Sequence, residues 1–128
     1  MKVCIIGAFG YGNLGDELIC ETLTRALAEL GHSTIVERPY PSPEAIKEAD
    51  YIIFGPGGIF YTTNESHSEY YLMYHNLIKK YKKRFGVFGV GFQIRKSIGF
   101  QPNLYPIKLL KYCDFAVMRH KNDITLLN

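Results

Sequence analysis

Residues 3–36 read VCIIGAFGYGNLGDELICETLTRALAELGHSTIV, and the order of elements in this stretch decides the fold. Val3-Cys4-Ile5-Ile6 is a short, largely β-branched apolar run ending at Gly7, the pattern of a strand buried on both faces. Glycines 7, 10, 12 and 15 then make a loop. The helix that follows carries Ile19, Leu23, Ala26, Leu27 and Leu30 at i, i+4, i+7, i+8 and i+11, one helical face. Asp16 and Glu17 fall in its first turn, where the helix dipole favours negative charge, and Gly31 is a natural stop. Thr34-Ile35-Val36 is a second strand.

The alternation continues outward. Pro39, Pro41 and Pro43 mark a loop, and Pro43 fits the first turn of a short helix through Ala49. Tyr51-Ile52-Ile53-Phe54 is a third strand, closed by Gly55-Pro56-Gly57-Gly58. A long helix is predicted from Ser66 to Lys83, with Tyr70, Tyr74, Leu77, Ile78 and Tyr81 on one side. Phe85 to Val90 is a fourth strand, Ile107 to Lys111 a helical turn, and Phe115 to Met118 a fifth strand. Asn122 is placed to cap a last helix. Strands that are apolar almost throughout, alternating with helices, indicate a Rossmann-like α/β fold: a parallel sheet of about five strands with helices on both faces. The expected order is 3-2-1-4-5, with the flavodoxin-like order as the alternative. Residues 1–128 are read as one such domain.

Composition narrows the function classes. Fifteen Lys and Arg against 12 Asp and Glu leave a charge of +3, too little to argue for nucleic acid. Apolar residues make up 47% and charged residues 21%, which excludes a disordered or collagen-like chain. Three cysteines (4, 20 and 113), widely spaced and without a CxxC pair, read as small buried hydrophobes in a reducing compartment. The apolar run after Met1-Lys2 is too short for a signal peptide, and no run is long enough for a membrane span. A cytoplasmic protein is expected.

Ligands of open parallel sheets bind beyond the carboxyl ends of the strands. Three glycine-rich segments fall there: Gly7 to Asp16, Gly55 to Phe60 and Gly89 to Gln93. Together they predict a cleft that a ligand approaches closely. Gly10-Tyr11-Gly12-Asn13-Leu14-Gly15 formally matches GxGxxG, and Glu37 lies 22 residues past Gly15. That is a dinucleotide pattern, but Gly7 ends the strand three residues early. Asp16-Glu17 would also repel a pyrophosphate at the helix N-terminus. A nucleotide-binding domain is therefore the alternative reading, and a truncated, non-catalytic binding domain is a third.

Gly10-Tyr11-Gly12-Asn13-Leu14-Gly15-Asp16-Glu17 resembles the N-GDE motif of the polysaccharide pyruvyl transferase family. Gly55-Pro56-Gly57-Gly58-Ile59-Phe60 is similar to that family's turn after the third strand. Gly89-Val90-Gly91-Phe92-Gln93 is similar to its fourth-strand loop, and Val117-Met118-Arg119 to its strand ending in Arg. The resemblance implies transfer of pyruvate, as a ketal, from phosphoenolpyruvate to a sugar of a cell-surface polysaccharide. It also implies two Rossmann-like halves in a glycosyltransferase-B-like arrangement, this chain being the N-terminal half, on the acceptor-sugar side. The second half, with its basic His for phosphoenolpyruvate, has no counterpart in these residues. After Arg119 the family's acidic residue and later Ser are replaced by His120-Lys121-Asn122-Asp123.

On this reading Asp16 is the candidate catalytic residue, in hydroxyl contact or as general base, with Asn13 and Glu17 orienting it. Its place at a helix N-terminus fits hydrogen-bond acceptance better than proton abstraction. Gly10, Gly12, Asn13, Glu17, Gly57, Gly58, Gln93 and Arg119 are the candidate substrate-binding residues. No metal or cofactor is called for. Lys79, Lys80, Lys82, Lys83 and Arg84 form a basic cluster that reads first as a solvated helix end and second as a contact for an anionic membrane surface. His67 and His75, eight apart, lack the spacing of a metal pair. Tyr61, Tyr70, Tyr71 and Tyr74 are candidate stacking faces for a sugar, or core and rim. A partner domain or a second copy remains open as the cover for a sheet that ends at its fifth strand.

Overall fold

The computed structural model describes the backbone of residues 1–38, 42–61, 65–93 and 109–122, and the side chains of 1–38, 42–57, 73–91 and 109–122. The elements run β1 (Lys2–Ile6), α1 (Leu14–Glu29), β2 (Ser33–Glu37), α2 (Pro43–Glu48), β3 (Tyr51–Phe54), β4 (Gly57–Tyr61), α3 (Glu65–Lys80), β5 (Arg84–Gln93) and β6 (Ala116–Met118). Every strand pairing among them is parallel. The predicted alternation holds, and the predicted elements from 1 to 90 are found within a few residues of their expected bounds. The last predicted helix lies mostly outside the described residues, as does the start of the turn at Ile107.

Strand order corrects the expectation. β1 pairs with β2 on one edge and β3 on the other, and β3 pairs with β5. Val90 of β5 is opposite Gly57 of β4 and also opposite Met118 of β6, so those two strands lie on opposite edges of β5. β4 thus extends the β3 edge, and the sheet reads β2-β1-β3-β5-β6 across. This is the flavodoxin-like order, 2-1-3-4-5 when the strands are counted as the sequence predicts them, not 3-2-1-4-5. The chain leaves β1 through α1 toward β2, then returns through α2 past β1 to β3. Right-handed crossovers put those two helices on opposite faces.

The core follows from this. Along β1, Cys4 and Ile6 point to one face and Val3 and Ile5 to the other, and all four are buried. Cys4 and Ile6 join Ala45, Ile46, Ile52, Phe54, Tyr74, Ile78, Phe85 and Val87 beneath α2 and α3. Val3 and Ile5 join Phe9, Cys20 and Ile53 beneath α1, with Leu23 and Leu27 packed at the margin. Farther along the α1 face, Phe115 lies flat on Gly86 and stacks on Tyr51 with centroids 6.4 Å apart. The three cysteines are free; Cys4 and Cys20 are buried and Cys113 is half-buried.

Local chemistry sets the ends of α1. Asn13 is the N-cap, its Oδ1 accepting from the Gly15 N–H at 3.1 Å. Gly31, at φ +81°, closes the C-terminus: the N–H of Gly31 donates to Ala28 and that of His32 to Leu27, both at 2.9 Å. The stripe of α1 that meets the sheet is Asp16, Cys20, Leu23 and Leu27. It differs from the predicted one: Ala26 and Leu30 are exposed, and a carboxylate takes the first inward position.

Among the described residues no helix is long and apolar enough to cross a membrane. The basic cluster lies at the amino edge of β5, away from the glycine loop. Lys83 Nζ donates to the carbonyls of Lys47 and Ala49 at the end of α2, at 2.8 and 2.6 Å. Arg84 pairs with Asp114 at 3.0 Å, while Lys79 and Lys80 lie over the rings of Tyr112 and Tyr81.

Candidate functional site

Because the chain turns from β1 to one side and returns to the other, the carboxyl ends of β1 and β3 form the strand-order switch, the place where open parallel sheets offer a ligand crevice. One wall is the loop Gly7–Asn13 leading into α1. The other is the turn Gly55-Pro56, whose connecting peptide is cis, leading into β4. The Ala8 N–H donates to the Pro56 carbonyl at 3.4 Å and the Gly55 N–H to the Ile6 carbonyl at 2.8 Å, so the base of the crevice is closed by backbone.

Asp16 sits where these walls meet. Its residue is 4% exposed, and its Oδ1 is buried without a hydrogen-bond partner. A Cβ added to Gly57 would lie 3.3 Å from Asp16 Oδ2 and 3.0 Å from the Ala8 Cβ. Gly57 therefore holds the β4 backbone directly against the carboxylate, at φ +114°, a conformation that suits glycine. A buried carboxylate oxygen with no donor is costly in a folded chain unless something else supplies one.

The neighbouring candidates divide into supports and rim. Asn13 caps the helix, and Glu17 Oε1 accepts from the Gly10 N–H, tying the loop to the first turn of α1. Both hold the segment that presents Asp16. Gly10 and Gly12 each have φ +76°, and Gly12 faces open space. Arg119 lies just past β6 on the same carboxyl edge; its N–H donates to the Val90 carbonyl at 2.9 Å and its side chain is exposed. Gly58 lies within β4 and Gln93 ends β5, both with side-chain surroundings outside the described residues.

The three predicted loops become one loop and two pieces of strand. Gly57–Tyr61 pairs with the far half of β5, so only Gly55 and Pro56 turn. Gly89 to Gln93 continues β5, with Gly89 at φ +66° where the register shifts. The reason is close packing. Gly55 meets the Phe88 carbonyl so closely that a Cβ would not fit, whereas Gly89 only touches Pro56 and is favoured there by its positive φ.

Tyr74, proposed as a stacking face, is buried in the core, edge-on to Phe54 with centroids 5.1 Å apart. Tyr61, Tyr70 and Tyr71 carry side chains outside the described residues. Sequence reasoning passed over Tyr11, which is 61% exposed beside the crevice, with the Arg38 guanidinium over its ring at 5.7 Å. Its signal was an aromatic residue with glycine on either side. Glu37, the residue a ribose would need, accepts from Ser42 Oγ at 3.4 Å. Burial, and after it the Glu37 carboxylate, pushes the Cys4 thiol up to about 12, so it is inert at neutral pH. Among the described residues no three His, Cys, Asp or Glu come together to hold a metal ion.

Residues 13–119 match the sequence pattern of polysaccharide pyruvyl transferases. The chain belongs to the polysaccharide pyruvyl transferase family. The match begins at the N-cap Asn13 and ends at Arg119, so it takes in α1 with Asp16 and Glu17, the Gly55-Pro56 turn and the carboxyl edge out to β6, and leaves Gly7–Gly12 before it. No curated protein matches the chain. In this pyruvyl transferase-like domain the N-GDE residues are thus a helix cap (Asn13), a buried carboxylate (Asp16) and a loop clasp (Glu17).

Proposed function

We propose that this domain holds the sugar acceptor of a pyruvyl transfer from phosphoenolpyruvate, within a protein that makes cell-surface polysaccharide. The observation that carries the reading is the buried, donor-free Oδ1 of Asp16 at the strand-order switch. A sugar hydroxyl entering the crevice supplies the missing donor, and the contact is desolvated and strong.

In the overall reaction, two hydroxyl oxygens of the acceptor bond to the central carbon of phosphoenolpyruvate and the carbon–oxygen bond to phosphate breaks. One hydroxyl proton ends on the former vinyl carbon, now a methyl group, and the other on the released phosphate. Asp16 orients the attacking hydroxyl, while Glu17 and Asn13 keep the loop in place. The cations for the phosphate and the carboxylate come from the rest of the protein, with Arg119 as the contribution of this edge. A dinucleotide is less well served, since Asp16 stands where its pyrophosphate would dock.

The test is phosphate release from phosphoenolpyruvate by the protein as its own cell makes it, with a panel of sugars. Release that depends on a sugar, with one phosphate per ketal formed, is the expected result. Asp16→Asn should lower kcat/KM for that sugar roughly 10- to 100-fold, the worth of a hydrogen bond to a charged group. Wild-type turnover in Asp16→Asn removes Asp16 from the site. No release with any sugar overturns the acceptor reading.

A further inference from the structure

Charge along this chain is segregated. Residues 70–113 hold nine of its 15 Lys and Arg and none of its 12 Asp and Glu. Two parts of that stretch meet near the amino end of β5: the last turn of α3 with the bend after it, and the turn before β6. Lys79 Nζ, on the first, lies 6.0 Å from the centre of the Tyr112 ring, on the second. Lys79, Lys80, Lys82 and Lys111 are exposed, and among the described residues none of them pairs with a carboxylate. Asp114, which ends the acid-free stretch, is already held by Arg84 Nε and the Tyr51 hydroxyl, each at 3.0 Å. Tyr112 is 63% exposed beside these lysines.

Lys82 adds an observation that a merely solvated helix end does not explain. α1 ends with the N–H of Gly31 donating to Ala28 and that of His32 to Leu27. α3 ends in the same pair of bonds, Lys82 to Lys79 at 3.2 Å and Lys83 to Ile78 at 2.9 Å. Lys82 therefore stands where α1 has Gly31, and at φ +51° it is in the left-handed region that glycine enters without strain. The chain keeps a charge at a place that local geometry reserves for glycine.

We propose that this corner of the domain docks on the surface of an anionic bilayer. The four lysines face the headgroup phosphates, and the Tyr112 ring sits at headgroup level. The crevice stays clear of the lipid. Gly57 is opposite Val90, six residues along β5 from Arg84, roughly 20 Å away. The inference stands apart from the acceptor reading, since it uses none of the crevice residues.

The experiment is vesicle co-sedimentation of the protein as its own cell makes it. The vesicles are phosphatidylcholine alone, or an equal mixture with phosphatidylglycerol. The mixed vesicles should bind at least about tenfold more protein at low salt, and about 0.5 M salt should abolish the difference. Lys79→Gln, Lys80→Gln, Lys82→Gln and Lys111→Gln should each lower the partition coefficient roughly fivefold. Arg25→Gln, an equal change of charge on α1, should leave it unaltered. Lys82→Gly should bind as weakly as Lys82→Gln yet unfold at a higher urea concentration, because the strain is relieved. Equal binding to both vesicles, binding to neither, or an Arg25→Gln loss as large as that of the lysines overturns the proposal. So does wild-type vesicle binding by Lys82→Gly. Soluble dextran sulfate, tested alongside, identifies the other anionic partner: capture by the polymer without the mixed vesicles overturns the bilayer in its favour.

Discussion

Gly57→Ala is the substitution that asks most of the crevice. Two costs arise, and Gly12 separates them. Gly12 has φ +76° with nothing within 4 Å of an added Cβ, so Gly12→Ala reports backbone strain alone, about 1–2 kcal/mol. Gly57, at φ +114°, bears at least that strain. Its new methyl also presses on the Ala8 Cβ at 3.0 Å and Asp16 Oδ2 at 3.3 Å. Overpacking of this kind adds about 1–3 kcal/mol, so Gly57→Ala should cost about 2–5 kcal/mol in all. Urea unfolding of both variants measures the difference. Combining Gly57→Ala with Asp16→Ala removes one of the two crowded contacts, so the pair should be non-additive, the double variant recovering about 1 kcal/mol. Equal losses at positions 12 and 57, together with simple additivity of 16 and 57, would refute the claim that Gly57 holds β4 against the carboxylate.

Two further outcomes follow from side chains outside the crevice. Cys4 is neutral in both states below about pH 9; above that the unfolded chain ionises first, because burial and then Glu37 raise the folded thiol to about 12. Stability should therefore fall as pH rises through that window, by up to ~1.4 kcal/mol per pH unit from this group, and Cys4→Val should flatten that part of the slope in urea titrations. Lys83→Met strips two donors from the last carbonyls of α2 and should lower stability by about 1–2 kcal/mol in the same assay, while Lys82→Met, at an exposed position, should change it by less than about 0.5 kcal/mol.

Fold class was legible because burial on both faces leaves a strong mark. Val3 to Ile6 and Tyr51 to Phe54 are continuous apolar runs, and helical spacing separates them. Strand order was not legible, since both orders use the same elements and differ only in whether the third strand joins the outer edge of β2 or the free edge of β1. β4 was hidden for a different reason. Gly55-Pro56-Gly57-Gly58 has turn composition, yet Gly57 and Gly58 are strand because β5 continues past β3 and offers its free edge. Pairing with a distant partner overrode local preference.

The candidate site shows the same division between local and distant causes. Asn13 as a cap and the positive φ at Gly10 and Gly12 follow from neighbours in sequence. Asp16 was singled out as a first-turn carboxylate, but its burial has another origin that the sequence also carries. Residues 16, 20, 23 and 27 keep the i, i+4, i+7, i+11 spacing of an inward stripe, with Asp16 at its head. A carboxylate at the head of an apolar stripe contradicts the pattern around it, and such contradictions are expected where function is served at a cost in stability. Tyr11 breaks the pattern in the opposite sense, as a large ring left exposed with only the Arg38 guanidinium beside it. Its partner Arg38 is 27 residues away in sequence and meets it only because β2 lies beside β1. Both exceptions flank one loop, which is why the crevice, and not the basic helix end, is where the sugar should be sought.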